Sequence, residues 1–468
     1  MQASQRALGN PALIYAAEQA DDLNLPLLTV FGLTADYPEA NLRHYVFMLQ
    51  GLKETARSLR ENGIGFLMAG MEPPAAALAF AGQAAVIVCD CGYLKHQQAW
   101  RKTVAVKSGK KTVMVESDVI FSAWDISHKE EWSAATLRRK MLPLRDDRLG
   151  QSETWCSFIP RPARPCTPGD VSRFLKKAGK ISAMDLFDPD QDPEHTVRDI
   201  TGGKKAKLSA GFMGVTGTPF FTGGTSSALT LLENFVREKL GLYADKRNHP
   251  ELSIQSDLSP YLHFGQISPA LAAAGAVKAA EGAGGTPGDT AALSKESFLE
   301  ELIVRRELSV NFVLYNPFYD EYPCLPDWAK KTLALHAEDR RSPLYTAIEL
   351  ENAETVDPCW NAAMEEMKLT GKMHNYMRMY WGKKIIEWTA RPEEAWSVMI
   401  RLNNKYFLDG RDPNSYAGVA WCFGKHDRPW IERPVFGSVR YMNQAGLRRK
   451  FDMDGYIRKI GTFRTSGH

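Results

Sequence analysis

Over roughly the first quarter of the chain, short apolar runs alternate with longer stretches of helical spacing. Residues 25–33 (LPLLTVFGL), 63–69 (GIGFLMA), 85–91 (AVIVCDC) and 111–119 read as strands. Residues 42–62, a segment from Glu72 and another around 96–106 repeat their apolar positions at helical intervals. Continuous apolar strands separated by amphipathic helices predict a doubly wound parallel sheet. No G-x-G-x-x-G follows any of these strands, so the pattern announces no dinucleotide loop. Gln5, Arg6, Ala7 and Asn10 lead straight into a helix with no strand before it. A doubly wound sheet ordinarily opens on a strand that lies centrally in the sheet. The pattern therefore reads as a sheet that begins one element late, without its leading strand.

Residues 145–225 lose this rhythm and fill with Pro, Gly and Ser, as in RPARPCTPGD and GVTGTPFFTGG. They read as a long connection of little periodicity. From Ser226 onward helical spacing dominates, over 228–241, 260–280, 294–314, 361–369, 373–389 and 392–402. The expected organisation is an α/β domain over 1–145, a connection over 146–225 and an α-helical domain over 226–468. A length of 468 residues accommodates two or three cores.

Composition narrows the class. The chain is 44% hydrophobic and 24% charged, which excludes global disorder and fibrous repeats. No apolar run is long enough to span a bilayer and no signal-peptide pattern is present, so a cytoplasmic, membrane-free protein is expected. Seven cysteines without a C-x-x-C pair argue for reduced thiols, with neither a disulfide framework nor a metal site. A net charge of +3 decides nothing by itself. Residues 430–468 differ, with eight Arg or Lys (Arg440, Arg448 and Arg449 among them) against three acids. Trp430, Phe436, Tyr441, Phe451 and Tyr456 are interleaved there. A basic segment with aromatic residues between its charges is the footprint of a nucleic-acid face, although each such residue taken singly also fits a solvated helix end.

Eleven tryptophans are the unusual entry in the composition. Trp381 and Trp388 fall seven residues apart in one helical segment, nearly on one face and roughly 10 Å apart along the axis. Trp360, upstream, can pack beside them. An aromatic core stripe and an electron-hopping chain are both consistent with this spacing. Arg378 sits in the same apolar helix and needs an anionic partner if it is buried, whereas at a helix edge it needs none. Asp409, in the turn-rich LDGRDPNSYAG, is a candidate. Ser256 and Ser259 precede Pro260 at a helix start, a place that can gather phosphate or simply cap the helix. Glu301 and Arg305 stand four apart in EELIVRREL, the spacing of a helical ion pair.

Taken together, LSPYLHFGQIS, EELIVRREL, DPCWNAA, GKMHNYMRMYWGKKIIEW, LDGRDPNSYAG and ERPVFGSVRYMN resemble the class II cyclobutane pyrimidine dimer photolyases. The resemblance runs from the first residues to about residue 460. It implies a Rossmann-like N-terminal domain, a helical domain that holds FAD, and blue-light-driven electron transfer to a pyrimidine dimer flipped out of double-stranded DNA. An antenna chromophore of unspecified identity goes with the N-terminal domain of that family. The resemblance assigns Tyr243, Arg247, Ser256, Leu258, Ser259, Arg378, Asn403 and Asp409 to the flavin nucleotide. It assigns Trp381, Trp360 and Trp388 to photoreduction, which turns the aromatic stripe into a hopping chain. Glu301 would hydrogen-bond the dimer, with Met379 and Trp421 lining the lesion pocket. Arg305 stands where some relatives carry a tryptophan, and Arg440, Arg448 and Arg449 would meet DNA.

This assignment gives the residue types a chemical purpose. Charge developing on the dimer's carbonyl oxygens calls for a hydrogen-bond donor, which Glu301 supplies if an apolar site keeps it neutral. The expected protein is a monomeric carbon–carbon lyase. A flavin photoreceptor on the same fold, signalling and repairing nothing, is the alternative. An electron-transfer flavoprotein unrelated to DNA is a third, disfavoured by the basic aromatic end.

Overall fold

The computed structural model describes residues 1–178, 186–200, 215, 220–282 and 290–466. Its first part alternates as the hydrophobic pattern requires: α1 (Pro11–Asp22), β1 (Leu28–Gly32), α2 (Leu42–Glu61), β2 (Gly65–Ala69), α3 (Pro73–Ala81), β3 (Val86–Asp90), α4 (Lys95–Lys107) and β4 (Lys111–Val115). Asn10 starts α1 by accepting from the Leu13 N–H, with Pro11 at the first helical position where no N–H is needed. β1 and β2 pair in parallel from Leu28 opposite Gly65 to Gly32 opposite Ala69, and β3 and β4 from Val86 opposite Lys111 to Asp90 opposite Val115.

β1 and β3 do not pair, and the sheet is therefore in two pieces. A cavity of about 290 Å³ lies between them, lined by Leu28–Val30 of β1, Val86–Asp90 of β3 and apolar residues of α1 and α3. This is the place in the strand order where a leading strand was expected. Residues 1–4 close one end of the gap. The Met1 ammonium donates to the Val30 carbonyl at 3.1 Å, and the Gln2 side-chain amide exchanges two hydrogen bonds with the Gly32 backbone. The N–H groups of Gln2, Ala3 and Ser4 all donate to one oxygen of buried Asp90, at 2.6, 2.6 and 2.9 Å. Burial pushes the Asp90 carboxyl up, but the Met1 ammonium, Arg101 and these N–H groups outweigh it and hold it at about 2.

The stretch expected to be a plain connection carries structure of its own. After α5 (Ala134–Met141) come α6 (Arg145–Glu153), α7 (Pro168–Ala178), β5 (Leu186–Phe187) and α8 (Pro193–Ile200). β5 adds to β2 in antiparallel sense, a pairing between distant parts of the chain that local spacing does not reveal. Residues 201–214 and 216–219 of the same stretch lie outside the described residues.

The second half is helical. It holds α9 (Thr225–Asn234), α10 (Ser259–His263), α11 (Pro269–Gly282), α12 (Thr290–Leu299), α13 (Arg306–Tyr315), α14 (Pro358–Thr370), α15 (Asn375–Trp388), α16 (Pro392–Tyr406), α17 (Pro413–Cys422), α18 (Gln444–Lys450) and α19 (Met453–Ser466). The helix expected over 260–280 breaks at Gly265, whose φ of +64° favours glycine. A Cβ there would lie 2.1 Å from the Ala3 carbonyl oxygen, so the N-terminal segment passes directly over the break. Arg6, fully buried, reaches from that segment to Asp118 at 2.6 Å and to the Gly265 carbonyl at 3.0 Å, tying the two halves together. The largest apolar core lies in the helical half around Trp360, Met364, Tyr380, Ile385, Met399 and Phe423. Among the described residues no helix is long and apolar enough to cross a membrane.

Two open strand edges facing a cavity leave backbone groups without ladder partners and apolar surface uncovered. Filling the cavity with a larger apolar side chain, Ala77→Leu, is expected to cover part of that surface and raise the thermal midpoint by about a degree or more. Calorimetry of variant and parent checks this; an unchanged or lower midpoint would contradict it.

Candidate active site

α15 is the helix on which the site is built. His374 caps it, its Nδ1 accepting from the Tyr376 N–H at 3.2 Å, while Nε2 lies 3.1 Å from the Gln255 side-chain amide. The His374 N–H donates to Glu366, which also accepts from the Tyr456 hydroxyl at 2.6 Å. One turn into the helix, Arg378 Nη2 donates to both oxygens of Asp409, at 2.8 and 3.0 Å. Arg378 is half-buried, with 24% of its side chain exposed, and Asp409, the anion named for it, is the partner found. The guanidinium carbon lies 3.8 Å from the centroid of the Phe407 ring, so a plane and a charge are satisfied together. The turn carrying Asp409 is pinned by Leu408 N–H to Gly371 at 2.8 Å and by Ser415 Oγ to the Asp409 carbonyl at 2.7 Å.

The three tryptophans come together. Trp360, on α14, donates from its indole to the Trp381 carbonyl at 3.0 Å, and its ring centroid lies 5.5 Å from that of Trp388. All three are buried, Trp388 being only 2% exposed. Its ring touches Tyr345 at 5.2 Å, a half-buried neighbour that sequence reasoning missed. The Trp381 indole N–H is buried and has no hydrogen-bond partner among the described residues. An orphaned donor of this kind is costly unless something else accepts from it.

Glu301 corrects two expectations. Its partner is Arg247, at 2.6 Å, and Arg305 pairs instead with Glu300 at 3.2 Å. The reason is local: residues Glu300–Arg305 form a π-helical stretch, in which positions five apart, not four, face one another. Nor is the Glu301 carboxylate in an apolar niche, because a guanidinium sits on it. Arg247 in turn lies over the Tyr243 ring, 5.8 Å from its centroid. Burial raises the Tyr243 hydroxyl to about 12, Glu301 adding to the rise and Arg247 opposing it.

Leu258 is buried and occupies the N-cap position of α10, and neither Ser256 nor Ser259 caps the helix through its side chain. Between them Asp257 has a φ of +60° and accepts from Lys372, with Lys239 at 3.9 Å. Lys459 reaches the Pro250 carbonyl at 3.2 Å in the same region. These lysines were not foreseen, since isolated lysines in a sequence read as surface charge. Asn403 is buried on α16 and donates to Asn404 at 3.0 Å. Met379 is half-buried on α15.

Trp421, at the end of α17, is half-buried between two cations. Lys383 Nζ is 5.2 Å and the Arg440 guanidinium carbon 5.7 Å from its ring centroid. Arg440 also lies 4.9 Å from the exposed Trp430 ring. Arg449 is exposed, and Arg448 is exposed but held by Asp454 at 2.8 Å.

The donor set fits a flavin nucleotide. Converging lysines beside the α10 start suit a diphosphate, buried Asn403 and the Arg378–Asp409 pair suit the polar edge of a ring system, and the unpartnered Trp381 N–H one turn further along α15 is a buried donor left without a partner.

Residues 1–146 match the family model described as DNA photolyase. A deoxyribodipyrimidine photo-lyase of Methanothermobacter thermautotrophicus is 45% identical over 98% of this chain and 93% of its own length. The protein of that name from Potorous tridactylus is 37% identical over 98% of this chain and 80% of its own. Among solved structures, a bacterial class III photolyase from Agrobacterium tumefaciens superposes with a TM-score of 0.67 at 17% identity, covering 98% of this chain and 85% of that one. A Synechocystis cryptochrome gives 0.67 at 14% identity over 98% and 87%. At such identities the two structures establish the fold: an α/β half followed by a helical half.

The His374 cap has a pH consequence. Burial, with Lys372 and Lys459 nearby, holds its imidazole down to about 3, against about 6.5 in an unfolded chain. Between those values the unfolded state takes up a proton that the folded state refuses, so stability falls as pH drops from 6.5 towards 3. His374→Asn keeps an acceptor at the cap and removes the titration. Urea unfolding at pH 7 and pH 4.5 is expected to show a wild-type loss larger by about 1–3 kcal/mol than that of the variant; equal losses would refute it.

Proposed function

The chain belongs to the DNA photolyase family, and we propose that it is a class II enzyme that uses blue light to split cyclobutane pyrimidine dimers in double-stranded DNA. The observation that carries this reading is the continuous arrangement on and beside α15. The Arg378–Asp409 pair lies in the first turn of α15, Trp381 and Trp388 follow on the same helix with Trp360 donating to the Trp381 carbonyl and its ring against Trp388, and Trp421 packs on Lys383 of that helix. A spacing of 5.5 Å between the Trp360 and Trp388 centroids suits short-range electron hopping, and the resemblance to the class II photolyases assigns all three positions to photoreduction.

FAD, reduced and excited by light, supplies the electron for ring opening when bound. The protein's own residues do the rest. Asn403, Arg378 and Asp409 hold the polar edge of the flavin, and the start of α10 with its lysines holds the nucleotide's phosphates. The tryptophans relay an electron from the surface into the helical half. A duplex hides its bases, so the dimer has to be flipped out; unstacking costs a few kcal/mol, least for a damaged pair. Met379 and Trp421 line the seat it enters, and Arg440 and Arg449 meet the backbone. Glu301 acts with Arg247: the guanidinium fixes the carboxyl and offers further N–H donors to the dimer's carbonyl oxygens as they gain negative charge. Arg305, exposed on the same helix, is placed to reach a phosphate.

The test is direct. The protein is reduced anaerobically, mixed with an oligonucleotide bearing one cyclobutane dimer and illuminated with blue light, and thymine absorbance is followed. Light-dependent recovery is expected; none would leave the photoreceptor reading standing instead. Trp381→Phe is expected to cut photoreduction of oxidised enzyme at least tenfold and to leave repair by chemically reduced enzyme in place. Unchanged photoreduction would remove Trp381 from the relay.

A further inference from the structure

Lys383 is the most deeply buried charged side chain near the site, 0% exposed. No carboxylate lies within ion-pair distance of it among the described residues. Its ammonium is satisfied in another way. Nζ donates to the Cys422 carbonyl at 2.5 Å, one of the carbonyls left without an intrahelical partner at the end of α17, where the helix dipole is negative. The Trp421 ring provides the second partner at 5.2 Å.

The geometry that permits this is set by Gly382. A Cβ there would lie 2.7 Å from Cys422 Sγ and 3.2 Å from Met399 Sδ, so α15 leaves at Gly382 the space that the side chains of Cys422 on α17 and Met399 on α16 occupy. Beyond Trp421 the order continues outward as an alternating column: Arg440 at 5.7 Å from Trp421, Trp430 at 4.9 Å from Arg440, and Arg428 at 5.5 Å from Trp430. Cation and ring alternate from the core to the surface, and only the inner end is fully buried. An unpaired buried ammonium lowers stability relative to an apolar side chain of similar size, so its presence calls for a role that methionine would not fill.

We propose that Lys383 is a positioning residue for lesion recognition: it fixes the plane of Trp421, and through it Arg440 and Trp430, against which an extruded pyrimidine pair stacks. The proposal rests on the reading of Trp421 as part of the lesion seat. Lys383 itself touches neither DNA nor cofactor. Burial lowers its ammonium to about 8; Cys422 and Asp427 pull the other way and Arg440 adds to the lowering. Those three, with the Trp421 ring, are the groups facing it from α17 and the segment that follows.

The experiment measures dark binding of the FAD-loaded protein to two oligonucleotides, one carrying a single cyclobutane dimer and one undamaged, by fluorescence anisotropy. Lys383→Met is expected to lower the preference for the dimer about tenfold, the scale of one desolvated cation–π contact. The slope of affinity against salt should stay at its wild-type value, because a buried ammonium neutralises no phosphate. In the wild type the preference should also fall as pH rises through about 8, and this step should be absent in the methionine variant. Trp421→Ala separates the two layers of the argument. If it abolishes the preference while Lys383→Met leaves it intact, Lys383 has no positioning role. If Trp421→Ala changes nothing, the lesion-seat reading fails and the proposal falls with it. Should Lys383→Met fold poorly, the wild-type pH profile decides alone, and a flat preference from pH 7 to 9.5 overturns the proposal.

Discussion

The bidentate pair between Arg378 and Asp409 is the interaction on which the rest of the site depends. It joins the first turn of α15 to the tight turn after α16, alongside the Leu408 N–H to Gly371 bond and the stacking of Arg378 on Phe407. The pair is partly enclosed, with 24% and 11% of the two side chains exposed, so removing one partner leaves a half-buried charge at a cost of about 1–3 kcal/mol. Once the pair is set, helical periodicity places everything else. Trp381 falls one turn on, Lys383 beneath Trp421, and Trp388 near the far end against Trp360. In the proposed function, this one fourteen-residue helix carries the flavin-edge contact, the electron relay and the support of the lesion seat.

The α/β half holds this helix in place from outside. Arg43 on α2 donates to the Tyr406 carbonyl at 2.9 Å and the Met367 carbonyl at 3.2 Å, the ends of α16 and α14. Arg411, buried in the turn beside Asp409, meets His44 of α2 at 3.1 Å. Glu307 on α13 accepts from the Ile120 and Phe121 N–H groups at 2.6 and 3.2 Å, and burial raises its carboxyl to about 8. These polar contacts, side chains capping backbone groups, fix the orientation of the two halves beside an apolar seam in which Phe47 of α2 packs on Tyr261 and Phe264.

How much of this was legible in the sequence follows from the range of each interaction. Arg378 in an apolar helix demanded an anion if buried, and Asp409 in a turn-rich loop could be named from residue types alone. The Trp381–Trp388 face followed from periodicity. Glu301 was misread because its nearest charge in an ideal helix is Arg305, and a π-helical stretch, which no residue in EELIVRREL signals, moves that pairing by one position. Lys383 was overlooked because GKKIIEW reads as a solvated pair of lysines, whereas the missing side chain at Gly382 draws α17 over the first of them. The alternation of strands and helices over the first quarter was visible in the pattern. That β1 and β3 stay unpaired with a cavity between them was not, since strand order is decided by contacts far apart in sequence.

The most direct test of the central claim is the FAD affinity of Asp409→Asn, titrated into flavin-free protein. Asparagine preserves the shape of the turn and removes only the charge that holds Arg378. If the pair organises the cofactor end of α15, the dissociation constant rises at least tenfold while the far-ultraviolet spectrum is unchanged. Wild-type affinity in that variant would contradict the account, because the turn and the helix would then be held to the cofactor by something other than this ion pair.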